Sequence, residues 1–155
     1  MKIRQGSPAD VPRALEIWRA AVDATHGFLT PGDRTEIDRM VAEQFLPQAG
    51  LWLVESGTGK VVGFLVMDGD EIDALFVDPA VHGQGYGTAL IQHALTLSPH
   101  ATVEASEQAS NALPFYEARG FVRIGRSETD PQGRPYPLVR LRYDGAGSRK
   151  ARAGH

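Results

Sequence analysis

The part of this chain that most limits its possible folds is a group of three strand-like runs followed at once by a glycine-rich loop. The runs cover residues 51–55, 61–67 and 71–77, and only short turns rich in Gly, Ser, Thr and Asp separate them. Turns of this length join antiparallel strands into hairpins. The third run leads into the loop at residues 82–88, HGQGYGT, where a helix begins. The fold must therefore combine an antiparallel meander with one strand–loop–helix–strand crossover.

Helical and strand-like patterns continue on both sides of this meander. Apolar residues recur at helical spacing across residues 11–22 and 37–45. Ser7 and Asp10 match a capping box at the start of the first helix, and Pro47 ends the second. The other predicted strands are residues 1–5, 101–105, 121–127 and 136–143, and the other predicted helices are 87–97 and a short one between Ser110 and Gly120.

This order predicts one α/β (α+β) domain with a mixed sheet and helices on both of its faces. Only the crossover through the glycine-rich loop requires a parallel strand pair. We expect the domain to span residues 1–143. The tail, residues 144–155, is rich in Gly, Ala and Arg, and we expect it to be disordered.

Composition excludes several classes of function. A net charge of -3 without a long basic run in the body of the chain argues against nucleic acid as the main partner. The chain has no cysteine, which rules out disulfides, thiolate metal sites and a cysteine nucleophile. Its five histidines are too scattered for a metal site. No signal peptide or membrane span is recognisable, so we expect a cytoplasmic protein that does not bind membranes. A homodimer remains open.

The glycine-rich loop has the chemistry of an anion site. Glycines let the backbone approach a ligand closely, and the start of a helix offers unpaired N–H groups and the positive end of the dipole. This combination suits a pyrophosphate, although a loop that merely joins strand to helix has the same composition. A Walker loop would need a Gly-Lys-Ser/Thr ending, which is absent. A dinucleotide fingerprint would need a glycine where Thr88 stands.

The loop resembles the acyl-CoA-binding motif of the GNAT (Gcn5-related N-acetyltransferase) superfamily, whose usual form is Gln/Arg-x-x-Gly-x-Gly/Ala. Two of its glycines match the motif, whereas a histidine occupies its first position. The resemblance implies the GNAT fold, a mostly antiparallel sheet of about seven strands with one parallel pair splayed at the CoA site. It also implies acetyl-CoA as co-substrate. The residues implied to bind it are Phe76, Val77, His82, Gly83, Gln84, Gly85, Tyr86, Gly87 and Thr88.

Residues 112–121 resemble the second signature of the family, Ala-x-x-x-Tyr-x-x-x-Gly-Phe, with Tyr116 in register. In the family this tyrosine lies near the CoA sulfur and can protonate the leaving thiolate, which makes Tyr116 the predicted acid. A packing residue is the alternative reading. The family often has an asparagine seven residues before the tyrosine, and this chain has Ala109 there. Two signatures in the correct order are far more specific than either alone.

The general base is left open by the sequence. Several GNAT enzymes use a glutamate at the position of Glu71, directly or through water, so Glu71 is the first candidate and Asp73 the second. Alternation along a strand without a bulge would put both on one face with Leu75 and Val77. His26 is a third candidate, because the ordinary pKa of histidine lies near neutrality.

The acceptor site is expected beside the first helix. Residues 25–30 lie where GNAT folds build the acceptor wall, and they resemble an Ala-Thr-His-x-Phe-Leu stretch of a subgroup of small bacterial acetyltransferases. That subgroup often ends in a Gly-x-Pro-Tyr-Pro-Leu strand, matched here by residues 133–138. The predicted substrate-binding residues are Thr25, His26, Phe28 and Asp73.

The resemblance thus implies an N-acetyltransferase that moves an acetyl group from acetyl-CoA to a primary amine by direct attack in a ternary complex. The amine could belong to a small molecule or to a protein. A non-catalytic module that senses acyl-CoA is the alternative from another class, and an enzyme that uses a longer acyl donor is a third reading.

Overall fold

A seven-stranded sheet with the order β1-β2-β3-β4-β5-β7-β6 runs through the molecule. The computed structural model describes residues 1–145. All neighbouring strands are antiparallel except β4 and β5, which confirms the predicted mixed sheet with one parallel pair. The strands are β1 Lys2–Gln5, β2 Leu51–Glu55, β3 Val61–Asp68, β4 Glu71–Val77, β5 Thr102–Ser106, β6 Phe121–Ser127 and β7 Leu138–Tyr143.

Helices cover both faces of this sheet. On one face, α1 packs Ile17 and Trp18 into a core with Phe64 of β3. On the other face, Leu90 of α3 and Leu113 of α4 belong to a second buried cluster. The sheet is therefore buried on both sides, as the alternation of helical and strand patterns predicts. The helices are α1 Val11–Thr25, α2 Pro31–Met40, α3 Tyr86–Leu97 and α4 Ala112–Ala118.

Several element boundaries differ from the sequence prediction. The second helix, whose apolar pattern covers residues 37–45, begins earlier, at Pro31, because the Thr30 side chain accepts a hydrogen bond from the Asp33 amide and proline fits the first helical position. Its α-helical part ends at Met40, and a π-helical segment, Val41–Phe45, follows. The last strand begins at Leu138 instead of residue 136. Proline at 137 has no N–H group for strand pairing.

A β-bulge at Asp73 breaks the alternation of β4. Val66 pairs with Ala74 and the next residue, Met67, pairs with Ile72, so Asp73 has no opposite residue on β3. Ile72 and Ala74 therefore pack into different cores, although they are two residues apart. The shared face of residues 71, 73, 75 and 77 was expected only for a strand without a bulge, and the bulge removes that condition.

The two parallel strands stay together over only two residue pairs. Glu71 is opposite Thr102 and Ile72 is opposite Val103, and no further pairs join β4 to β5. The sheet is thereby open beside the C-terminal half of β4, which positions the site described below. None of the helices within residues 1–145 is long and apolar enough to cross a membrane. Most of the predicted tail, from residue 146 onward, lies outside the described residues.

Candidate active site

A cleft of about 730 Å³ lies where β4 and β5 separate. The end of α1, the end of β4, the glycine-rich loop and the start of α3 form its walls together with α4. Eleven residues predicted from the sequence line this cleft, whereas Phe28, Glu71, Asp73 and Gln84 do not. The predicted residues that line it are Thr25, His26, Phe76, Val77, His82, Gly83, Gly85, Tyr86, Gly87, Thr88 and Tyr116.

The glycine-rich loop presents its backbone to the cleft. Gly83 and Gly85 have φ angles of 82° and 88°, a conformation that residues with a side chain rarely adopt. The backbone hydrogen bonds of α3 begin with the Ala89 amide, which donates to the Gly85 carbonyl. The amides of the first helical turn therefore remain available at the positive end of the dipole. This arrangement can bind an anion of the size of a pyrophosphate.

Helix α4 packs closely against the start of α3. A Cβ atom at Gly87 would lie 3.0 Å from two ring carbons of Phe115, so only glycine lets the two helices approach this far without a shift. Beside this contact, the Arg119 Nε donates a hydrogen bond of 2.8 Å to Thr88 Oγ1. The two GNAT-like signatures of the sequence thus meet at one wall of the cleft.

Tyr116 is buried in this wall, yet its hydroxyl has no protein partner. The residue is only 8% exposed, and its ring meets those of Phe115 and Phe121 edge to face. Within residues 1–145 its hydroxyl makes no hydrogen bond and is not among the fully buried side-chain atoms without a partner, so it is accessible from the cleft. Burial raises the pKa of the Tyr116 phenol, so the group stays protonated at neutral pH and is able to donate.

His26 follows directly after α1 and is half-buried at the cleft. Its Nδ1 lies 2.7 Å from Thr25 Oγ1, and the Thr25 hydroxyl donates its proton to the Ala21 carbonyl at 2.8 Å. Nδ1 must then be the donor, which leaves the lone pair on Nε2. Burial lowers the pKa of His26, so the ring is neutral at physiological pH. A neutral imidazole with an open nitrogen can accept a proton.

An aromatic contact chain leads from His26 to the C-terminal part of the chain. The ring of Phe28 lies 5.1 Å from that of His26 and 5.9 Å from that of Tyr136. The Tyr136 hydroxyl donates to Asp33 Oδ2 at 2.5 Å and accepts from the Thr30 amide at 3.2 Å. Phe28 thus supports the cleft wall from behind, although it does not line the cleft itself.

The two carboxylates proposed from the sequence lie elsewhere. Glu71 accepts a hydrogen bond of 3.3 Å from Arg140 on β7. Asp73 is exposed at the bulge, and its pKa is raised by loss of hydration and then by the charges of Asp68 and Glu71. Neither lines the cleft. A catalytic role for either of them remains a prediction.

Several residues of the cleft were not predicted as site residues. Arg119 and Phe115 come from α4 and its C-terminal end, and Asn111 lies at the start of that helix. Helical spacing from Tyr116 puts a residue three positions later on the same face, so Arg119 was within reach of sequence reasoning. Ala109, which occupies the family asparagine position, is buried and also borders the cleft. In residues 1–145 no three His, Asp or Glu side chains are grouped as metal ligands.

Comparison with known proteins gives a consistent result. A family model described as "Acetyltransferase (GNAT) domain" matches residues 47–123. The peptidyl-lysine N-acetyltransferase YjaB of Salmonella typhimurium is 44% identical over 143 residues, which cover 92% of this chain and 98% of that protein. YjaB of Escherichia coli is 42% identical over a region that covers 94% of this chain and 99% of that protein. The solution structure of its apo form matches with a TM-score of 0.86 over 92% of this chain and 96% of that one. The similarity thus extends along almost the whole chain.

Proposed function

The chain belongs to the GNAT family of N-acetyltransferases, and from this premise we propose that it transfers the acetyl group of acetyl-CoA to the side-chain amine of lysine in a protein. Acetyl-CoA is proposed as the donor because the amides of the glycine-rich loop and the start of α3 suit the pyrophosphate of coenzyme A. The acceptor class follows from the two YjaB relatives, both of which are named peptidyl-lysine N-acetyltransferases. A chain without cysteine suits the reducing cytoplasm, which we propose as its place of action.

The observation that carries this proposal is the unpaired hydroxyl of Tyr116 in the same cleft as the glycine-rich loop. The hydroxyl is not among the fully buried unpaired side-chain atoms of residues 1–145, so it is accessible from the cleft and free to bind a ligand there. The loop binds the diphosphate through main-chain amides, and Tyr116 is then available to the reacting end of the donor. Because the phenol is protonated at neutral pH and is accessible from the cleft, Tyr116 acts as the acid that protonates the leaving sulfur.

Acetyl-CoA supplies an activated thioester, and the remaining task of the protein is to prepare the amine. A lysine ammonium must lose a proton before it attacks, and its ordinary pKa is about 10.4. We propose that His26 Nε2 accepts this proton, directly or through water. This choice reverses the order of candidates from the sequence, because His26 lines the cleft whereas Glu71 and Asp73 do not. We propose that attack is direct, and the chain has no cysteine that could carry an acyl group.

The first experiment is calorimetric titration of the protein with acetyl-CoA, followed by the same titration of Gly85→Glu. The glutamate adds negative charge and a side chain at a φ of 88°, so donor binding should be lost. Gly59→Glu is the matched control, because Gly59 has a φ of 85°, has open space around it and lies in the turn between β2 and β3. Retained affinity in Gly85→Glu would refute the donor site.

The acceptor is tested separately by release of CoA with two peptides of the same composition. One peptide carries a lysine and a blocked N-terminus, and the other carries a free N-terminus and a blocked lysine. CoA release with the first peptide alone supports lysine acetylation, and release with the second alone would refute it. Tight acetyl-CoA binding without release to any amine would favour a sensing module.

A further inference from the structure

Arg119 is a cleft residue whose positive charge no carboxylate of residues 1–145 balances. Within residues 1–145 its hydrogen bonds go to Thr88 Oγ1 and to the Phe115 carbonyl, and both acceptors are neutral. Other arginines nearby are paired. Arg123 binds Glu117, and Arg13 binds Asp78, which precedes the glycine-rich loop. No acid of the cleft walls therefore competes for Arg119.

The guanidinium of Arg119 is held in one orientation. Its carbon lies 3.8 Å from the centre of the Phe115 ring, as in a cation–π contact. Nε donates to Thr88 Oγ1 at 2.8 Å and Nη1 donates to the Phe115 carbonyl at 2.7 Å. Of the five N–H groups of an arginine, the remaining three, including both on Nη2, have no partner in the described part of the chain. A fixed fork of unused donors is the usual means of binding a phosphate.

The charge of Arg119 is also costly to maintain without an anion. Partial burial lowers the pKa of its guanidinium, which reflects a charged group that has lost hydration without gaining an ionic partner. Thr88 adds to the same site. Its oxygen accepts from Arg119, so its own proton remains to donate to a further acceptor. Together the two side chains offer a cationic fork and a hydroxyl donor.

This site lies at the last residue of the loop, Thr88, which Arg119 contacts from the end of α4. Gly83 and Gly85 present main-chain amides before α3, whereas Thr88 is the third residue of the helix and Arg119 reaches it from the end of α4. Coenzyme A carries phosphate at two places, the pyrophosphate in the middle and the 3′-phosphate on the ribose. We propose that Arg119, held by Thr88 and Phe115, binds the 3′-phosphate while the loop amides bind the pyrophosphate. This inference rests on the proposed use of acetyl-CoA.

The proposal is tested by calorimetric titration with coenzyme A and with 3′-dephospho-coenzyme A, which differ only in that phosphate. Wild-type protein should bind coenzyme A about ten- to a hundredfold more tightly, the range expected for hydrogen bonds to a charged group. Arg119→Gln should bind the two nucleotides with about equal affinity. Relative to the wild type, only its affinity for coenzyme A should change. Arg119→Lys should keep part of the preference, because it retains the charge without the fork.

Arg123→Gln is the matched control, since it removes the same charge from an exposed ion pair with Glu117 outside the cleft. Its preference for coenzyme A should equal that of the wild type. Thermal unfolding of each variant shows whether Arg119→Gln remains folded. The comparison of the two nucleotides on the wild-type protein does not depend on any variant being folded.

Three results would overturn the inference. Equal wild-type affinities for the two nucleotides would show that the 3′-phosphate is not recognised. Equal weakening of both by Arg119→Gln would place this arginine on the pyrophosphate instead. An unchanged preference in Arg119→Gln would assign the recognition to other residues. Failure of the wild type to bind either nucleotide would refute the donor site of the proposed function as well.

Discussion

The Thr25 hydroxyl lies 2.7 Å from Nδ1 of His26 and donates its only proton to the Ala21 carbonyl. A threonine that donates to a backbone carbonyl can only accept from its histidine neighbour, so this short relay defines the tautomer of the ring. The lone pair then resides on Nε2 in a residue that lines the cleft. A local contact at the end of α1 thus leaves Nε2 of His26 able to accept a proton, as the proposed role of base requires.

Replacing His26 by asparagine should lower kcat by about a hundredfold, the lower end of what a positioned base contributes. The pKa of His26 is lowered from 6.5, so wild-type kcat should be constant near neutral pH and should fall as the pH drops through a value below 6.5. His26→Asn should lack this acidic limb. The measurement is kcat against pH with a saturating lysine peptide.

Glu71→Gln provides the comparison for that experiment, because Glu71 is the base favoured by the sequence. We expect kcat and its pH profile to stay close to wild type, since Glu71 bonds to Arg140 outside the cleft. An acidic limb that survives in His26→Asn and disappears in Glu71→Gln would return the role of base to Glu71.

Tyr116→Phe should lower kcat by about a hundredfold and leave the dissociation constant of acetyl-CoA nearly unchanged. The hydroxyl makes no protein contact that the substitution would break, and the ring keeps its packing against Phe115 and Phe121. The measurements are steady-state kinetics and calorimetric titration of the same preparation. Unchanged turnover would remove Tyr116 from the mechanism.

Tyr136→Phe should raise KM for the lysine peptide about two- to tenfold without changing donor affinity. It removes hydrogen bonds to Asp33 and to the Thr30 amide, each worth roughly 0.5–1.5 kcal/mol, and so loosens the support behind Phe28. The check is a KM series for the peptide at saturating acetyl-CoA, with the donor dissociation constant measured alongside. A change in donor affinity with an unaltered KM would contradict this role.

Gly63→Ala should lower the free energy of unfolding by about 1–3 kcal/mol, as overpacking does in a close-packed interior. A Cβ at this position would lie 2.9 Å from Val54 Cγ1 and 3.1 Å from the Phe76 carbonyl oxygen, and the second atom belongs to backbone. Gly57→Ala is the control, because nothing lies within 4 Å of its Cβ position. Denaturant unfolding of both variants measures the difference, and equal stabilities would contradict the packing.

Much of the fold was predictable from the sequence because its signals are local. Short turns between residues 51 and 77 require hairpins, and one crossover through the glycine-rich loop requires one parallel pair. The predicted capping by Ser7 and Asp10 depends only on neighbouring residues. In the structure the Ser7 amide donates to the Asp10 carboxylate. The start of α2 was missed even though Thr30 and Pro31 form a recognisable cap.

What the sequence by itself determined was the fold class and the place of the glycine-rich loop, since glycine positions and strand spacing restrict the backbone directly. The choice of base and the partners of Arg119 depended on tertiary structure. The bulge at Asp73 shifts the faces of β4 through pairing with β3, which no pattern within β4 reveals. Likewise, Thr88 and Arg119 are 31 residues apart and meet only because α4 packs against the start of α3. Contacts of this kind arise from the packing of whole elements, so they became visible only in the folded chain.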